Sequence, residues 1–356
     1  MKIGILGLPN SGKTTLFNAL TRSEVPVTVY ADAKAEPHLG EVEVIDERIT
    51  WLSNLYNPKK TTYARIEMID FAGVSQGAAK EGSLSGELLR LIKNTDALAV
   101  VLRNFQSDLV GAPEPEKELN IITEELLLSD LVIVENRLEK IEAGFKRGIK
   151  SNEIQLEQSV LKKIHAQLEE MKPVRELGLS ENEMKLIKGF QLLTQKPVLA
   201  IVNSSEELFG KNESLLESIG KSYKVIEFAG NFEMELSRLT DEEEIALFME
   251  DMGIGESARD CLARAAYELL GYISFFTVGE DEVRAWTIVK GDTALLAAGA
   301  IHSDLMRGFI RAECFSYANL KESGSEKAVK EKGKFRLEGK EYVVNDGDIL
   351  SIRFNV

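Results

Sequence analysis

Residues 2–14, KIGILGLPNSGKT, restrict the fold of this chain more than any other segment. Lys2–Leu8 is an apolar run that reads as a buried strand, and residues 13–21 read as a helix beginning in a glycine-bearing loop. The spacing from Gly7 to Thr14 is G-x4-G-K-[ST]. Glycines at these positions let backbone N–H groups curl around a phosphate at a helix N-terminus, where the helix dipole also favours negative charge. In such a loop Lys13 would neutralise the β and γ oxygens of a nucleotide, and the Thr14 hydroxyl would ligate Mg²⁺. The site therefore predicts Asn10, Ser11, Gly12, Lys13, Thr14 and Thr15 around a polyphosphate.

Further short apolar runs support an α/β domain. Ile66–Ile69 ends at Asp70, ALAVVL covers 97–102, PVLAIV covers 197–202, and a weaker run covers 224–228. Continuous apolar strands alternating with helical stretches predict a parallel sheet covered on both faces. The middle of the chain differs. Leu127, Leu131, Val134, Leu138, Ile141 and Phe145 follow a 4-3-4-3-4 spacing, a turn follows at 146–151, and Ile154, Leu161, Ile164, Leu168 and Met171 resume the seam until Pro173. These residues predict an antiparallel coiled-coil hairpin over 119–194, inserted into an α/β domain of 1–118 and 195–272; the alternative is two core helices of that domain. From 273 to 356 the pattern changes to a small α+β module. Its strand candidates are Phe275–Thr277, Ala285–Ile288, Phe309–Glu313, Tyr342–Val344 and Ile349–Phe354, with a helix at Leu295–Ala300 and a tight turn at Asp346–Asp348.

The charge narrows the class of partner. A formal net charge of −15 excludes a protein that coats nucleic acid over its whole surface. Residues 119–194 nevertheless hold eleven basic against thirteen acidic side chains, and 273–356 hold twelve against thirteen. Contact with an RNA-rich partner would go through these near-neutral segments. No run approaches the ~18 uncharged apolar residues of a membrane helix, and the N-terminus lacks a signal-peptide layout. Cys261 and Cys314 alone make neither a disulfide framework nor a zinc site. A cytoplasmic protein is expected.

Two more segments complete a nucleotide site. In Asp70-Phe71-Ala72-Gly73 the carboxylate would hold the Mg²⁺ water shell, and the Gly73 N–H would contact the γ-phosphate during catalysis. Asn203-Ser204-Ser205-Glu206 occupies the place of the usual guanine reader N-K-x-D. Glu206 adds a methylene to the reading carboxylate, and Ser204 removes the lysine that covers the base, so the argument for guanine weakens. A plain polar loop after a strand is the other reading of this segment.

Together these residues resemble the YchF/Obg-like ATPase family of P-loop proteins. The resemblance runs over essentially the whole chain, through GLPNSGKTTLFNAL, DFAG with QGAAKEGSLSGELL, QLLTQKPV, N-x-x-E, FFTVGEDEVRAWTIVKG, IHSDLMRGF and DGDILSIRFNV. It implies a P-loop GTPase-like parallel-sheet domain, an inserted coiled-coil hairpin and a C-terminal TGS domain of β-grasp type. It also implies slow hydrolysis of ATP in preference to GTP, Mg²⁺ as cofactor, and a ribosome or large-subunit partner, with rRNA as a candidate contact. A monomer is expected. Asn203, Ser204 (by its main chain) and Glu206 match the base motif, and Asn10 matches an asparagine that helps hold K⁺ in some related proteins.

Several positions bear on turnover. Val74 stands where Ras-like proteins orient water with glutamine, and the family is hydrophobic there too. Lys34 replaces the first-switch threonine of the family, and the loop after Arg103-Asn104-Phe105 lacks the family histidine. These departures keep open a non-catalytic, nucleotide-gated binding module, and GTP as ligand is a third reading. His302, His38 and His165 read as structural or loop residues, Trp286 as core or interface, and Lys327, Lys330, Lys332, Lys334 and Arg336 as a solvated stretch or an rRNA contact.

Overall fold

The computed structural model describes residues 1–26, 37–71, 86–239, 241–251 and 253–355. Lys34, Gly73 and Val74 lie outside them. In chain order the elements are β1 (Lys2–Gly7), α1 (Lys13–Thr21), β2 (His38–Val44), α2 (Glu47–Tyr56), β3 (Lys60–Thr62), β4 (Ala64–Asp70), α3 (Gly86–Lys93) and β5 (Ala97–Asn104). There follow α4 (Pro115–Lys146), α5 (Asn152–Glu169), α6 (Glu181–Ile187), β6 (Val198–Ser204), α7 (Glu213–Gly220), β7 (Lys224–Phe228), α8 (Gly230–Leu236), α9 (Glu242–Asp251) and α10 (Ala258–Leu270). The last stretch contains β8 (Tyr272–Thr277), β9 (Glu282–Val289), α11 (Ala294–Ile301), α12 (Ser303–Arg307), β10 (Phe309–Ser316), α13 (Tyr317–Ser323), α14 (Glu326–Glu331), β11 (Arg336–Glu338) and β12 (Asp348–Phe354). They form two compact units, Met1–Glu41 with Glu67–Cys261, and Val42–Ile66 with Leu262–Val356.

The first sheet has the order β2-β4-β1-β5-β6-β7. Strand β1 pairs in parallel with β4 and β5, and β5–β6 and β6–β7 are also parallel. Every residue of β5 and of β6 is buried. Such strands have helices on both faces, which is why they read as unbroken apolar runs. In this sheet the strand missing from the sequence reading is β2, HLGEVEV, which lies at the sheet edge with only Val42 buried. It has little of the apolar continuity that marks its neighbours.

Pro115 sits at the start of α4, where its missing N–H costs nothing. The helix then serves two cores in succession. Leu119, Ile122 and Leu126 pack with Ile69, Leu98, Val100 and Val198 in the sheet core. Leu127, Val134 and Ile141 turn instead to Val160, Leu161, Ile164 and Leu168 of α5. The hairpin is thus an insertion between β5 and β6, as the heptad seam predicts, and Arg137 clamps it with a two-pronged bond to Glu157 at 2.7 and 2.8 Å. At its base Asp130 is fully buried. Its carboxylate accepts the backbone N–H groups of Leu193 and Thr194, both at 2.8 Å, and the Thr194 hydroxyl at 2.7 Å. This contact holds the QLLT segment that feeds β6.

The second sheet has the order β11-β10-β12-β8-β9-β3. Neighbours are antiparallel except β12–β8 and β3–β9. Residues 42–66, expected with the nucleotide-binding domain, belong to this unit: Ile49 and Leu52 of α2 pack against Phe276, Val283 and Phe315. Asp46 caps α2 through the Arg48 N–H at 2.9 Å, and the Arg48 guanidinium bridges Asp46 and Asp346. The strand expected at Tyr342–Val344 is not formed. Val343 makes one isolated bridge to Thr293, while the Tyr342 hydroxyl donates to Asp348 at 2.7 Å. The tight turn is present, with Gly347 at φ 84°. Among the described residues no helix is long and apolar enough to cross a membrane.

Asp130→Asn puts an amide N–H against donors and should cost about 1–3 kcal/mol of stability, read as a lower urea midpoint. An unchanged midpoint would remove this carboxylate as the tie between the hairpin and β6.

Candidate nucleotide site

The carboxyl ends of β1, β4, β5 and β6 bring the expected phosphate and base residues to one edge of the parallel sheet. Two glycines shape the loop after β1. A Cβ on Gly7 would lie 2.6 Å from the Ser11 Oγ and 2.7 Å from the Val101 carbonyl oxygen. Gly12 takes φ 90° at the start of α1 and leaves no room for a Cβ beside the Asn203 amide. Asn10 also turns into the left-handed region, at φ 63°. The loop thus curves back on itself, and α1 opens from it with its first N–H groups uncapped by any side chain.

Lys13 is buried at 8% exposure, and its Nζ donates to the Leu8 carbonyl at 2.8 Å. Burial pushes its ammonium down to about 8, against the opposing pull of Asp70 and Glu118. Next to it the Thr14 hydroxyl donates to Asp70 Oδ2 at 3.0 Å. Burial raises the Asp70 carboxyl above its ordinary value, opposed by Thr14 and Lys13. Among the described residues its buried Oδ1 has no hydrogen-bond partner, and neither has the buried Ser11 Oγ. A buried carboxylate oxygen without a donor is costly unless a cation or ordered ligand satisfies it. The donor set suits Mg²⁺: one hydroxyl and one carboxylate, with the remaining positions for phosphate oxygens and water. Among the described residues no group of three or more His, Cys, Asp or Glu gathers to enclose a metal.

On the base side, Asn203 is buried and spans two elements. Its Nδ2 donates to the Ser11 carbonyl at 3.0 Å, and its Oδ1 accepts the Gly230 N–H at 3.1 Å. Ser204 faces inward as well. Its hydroxyl accepts from Asn104 Nδ2 at 2.9 Å and donates to Glu227 Oε1 at 2.6 Å. Glu227 also accepts the Gly210 N–H at 3.0 Å and the Asn212 amide at 2.5 Å. This network anchors the loop that carries Glu206. A cleft of about 460 Å³ opens there, lined by Gly12, Thr15, Asn203, Ser204 and Glu206, with Phe105, Gln106 and Asn231 on its walls.

The sequence reading does not single out those last three as cleft residues. Phe105 is placed by Arg103, whose buried guanidinium donates to the carbonyls of Phe105, Gly111 and Ala112 at 2.8–2.9 Å. Arg103 in turn is paired with buried Glu118 at 3.4 Å. The signal available was the polar end of β5, an Arg-Asn pair closing an apolar strand. His302, by contrast, caps α12 through the Asp304 N–H at 3.2 Å, and His165 lies between Glu135 and Glu169 on the hairpin. His38 begins β2 with its ring 6.3 Å from Phe17. Trp286 stacks on Phe275, donates to the Thr277 hydroxyl at 2.9 Å and is covered by Arg284.

Known proteins resemble this chain along its whole length. The model for "50S ribosome-binding GTPase" (MMR_HSR1) matches residues 2–137, and YchF-GTPase_C, described as "Protein of unknown function (DUF933)", matches residues 272–355. The chain is 41% identical to the ribosome-binding ATPase YchF of Bacillus subtilis (strain 168), covering 99% of both proteins. It is 38% identical to the protein of that name from Haemophilus influenzae, over 100% of this chain and 99% of the other. The solved structure of the Schizosaccharomyces pombe YchF GTPase superposes with a TM-score of 0.84 at 32% identity, over 99% of this chain and 97% of that one. A GTP binding protein from Pyrococcus horikoshii OT3 shares the fold alone, with a TM-score of 0.64 at 19% identity over the full length of both chains. With relatives this similar end to end, the chain belongs to the YchF family.

Proposed function

We propose that this protein is a P-loop nucleoside triphosphatase that binds ATP in preference to GTP, hydrolyses it slowly and acts as a ribosome-associated switch in the cytoplasm. The observation that carries the reading is the group Lys13, Thr14 and Asp70, with two buried oxygens (Asp70 Oδ1 and Ser11 Oγ) that have no partner among the described residues. Full-length relatives named ribosome-binding ATPases support the ribosomal part. Asn10, Ser11, Gly12, Lys13, Thr14 and Thr15 would surround the phosphates, and Asn203, Glu206 and the main chain of Ser204 would face the base. Thr14 and Asp70 would hold Mg²⁺, which when bound neutralises charge on the phosphate oxygens. Lys13 would hold a proton against the transferred phosphoryl group, and Gly73 would offer its N–H to it. Asn10, which takes a left-handed backbone conformation in the loop, is the residue through which K⁺ would act.

Within the basic stretch of the second unit, Lys332 pairs with Glu322, Arg336 donates to the Tyr342 hydroxyl, and Lys330 covers Phe335. Any contact with rRNA phosphates there would fall chiefly on exposed Lys327 and Lys334. A monomer is the reading for the oligomeric state.

Two measurements test this function. ATP turnover should exceed that of Lys13→Ala, rise in K⁺ over Na⁺, and accompany nucleotide-dependent pelleting with ribosomes. Turnover equal to the variant's would leave a non-catalytic binding module, and equal rates in the two salts would remove the K⁺ role. The second measurement follows the proton on Lys13. In the free protein it titrates near 8, and phosphates would raise that value, so binding at pH 8 should take up about half a proton. Uptake should fade toward pH 6.5, where the lysine is already charged in both states. Calorimetry in buffers of different ionisation enthalpy reads it; no uptake at pH 8 would contradict phosphate contact by Lys13.

A further inference from the structure

More than half of the formal charge of −15 sits in one short segment. Residues 233–256 hold nine Asp and Glu against a single Arg. There α8 and α9 pack around Phe232 and Phe248, whose rings stack 4.7 Å apart and 6° from parallel, with Leu236, Leu239 and Ile245 in the same cluster. The packing leaves apolar surface over. Leu247 is 67% exposed. With Leu239 and Phe248 it lines an open groove of about 540 Å³, and Glu235, Glu244 and Asp251 share that lining.

A groove lined by apolar side chains together with three carboxylates selects its occupant. Nucleic acid and anionic membranes carry the wrong charge. A second copy of this chain would bring two acidic linings together, and like charges facing across an interface are strongly unfavourable. What fits is a helix with apolar residues on one face and lysine or arginine along both flanks. We propose that the groove between α8 and α9 is a docking surface for a cationic amphipathic helix of a partner protein. The inference stands on this surface alone, whichever nucleotide the cleft binds.

The test uses the full-length protein and a fluorescent synthetic helix of leucine and lysine, with leucines at i, i+3, i+4 and i+7. Anisotropy should show saturable one-to-one binding, and a leucine–glutamate helix of the same pattern should not bind. Leu247→Glu should weaken binding about tenfold. The side chain is mostly in water, so the change removes little packing. Unspecific attraction to an acidic protein would instead tighten, because the variant adds a negative charge. The joint variant Glu235→Gln, Glu244→Gln and Asp251→Asn keeps the apolar lining intact and should weaken binding while flattening its salt dependence. Binding that is absent, or that Leu247→Glu leaves equal or tighter, would overturn the proposal. So would sedimentation showing a dimer that Leu247→Glu disperses, since the groove would then be an interface between copies.

Discussion

The first unit depends on one buried amide. Asn203, at the end of β6, holds the phosphate loop with one end of its side chain and the start of α8 with the other. Three segments far apart in sequence, residues 8–12, 203–206 and 229–231, meet at this group. Each buried bond of this kind contributes about 1 kcal/mol net, and an orphaned partner costs more than the bond contributes. Across the loop itself, the Lys13 ammonium and the Ser11 N–H both donate to the Leu8 carbonyl. Gly7 and Gly12 permit the turn but do not hold it, and no side chain caps α1. The sheet therefore presents the loop, and Asn203 ties its far side to the cleft lined by Ser204 and Glu206.

A second level of support lies behind the cleft. Arg103 and Glu118 are a buried ion pair, a costly arrangement unless further bonds satisfy the remaining donors. Here the carbonyls of Phe105, Gly111 and Ala112 do so. The Ser204–Glu227–Asn212 network does the same for the loop carrying Glu206. The hydroxyl of Ser204 explains how a chain lacking the usual lysine still orders this loop. It is used inward, as an anchor.

Much of this was legible in the sequence, because the signals were local. The phosphate loop combines spacing, glycines and a preceding apolar strand. The hairpin has a seam of period 3.5, whereas the buried Asp130 that ties it to the segment feeding β6 emerges only from the structure. The parts that were hidden depend on packing over long sequence distances. Edge strand β2 is too exposed to show a core pattern. Strand β3 is only three residues long, and its partner β9 lies about 220 residues away. Tyr342–Val344 has strand-like residues, but the Tyr342 hydroxyl is committed to Asp348 and the backbone bridges at one point only. Phe105 and Asn231 carry no motif of their own; the fold alone brings them to the cleft.

The central claim is that this cleft reads the base of a nucleotide through Glu206 and favours ATP. Calorimetric titration of ATP and of GTP into nucleotide-free protein, with Mg²⁺ and K⁺ present, tests it most directly. The account predicts tighter binding of ATP. Tighter binding of GTP would contradict it, and would mean that the longer carboxylate still reads guanine.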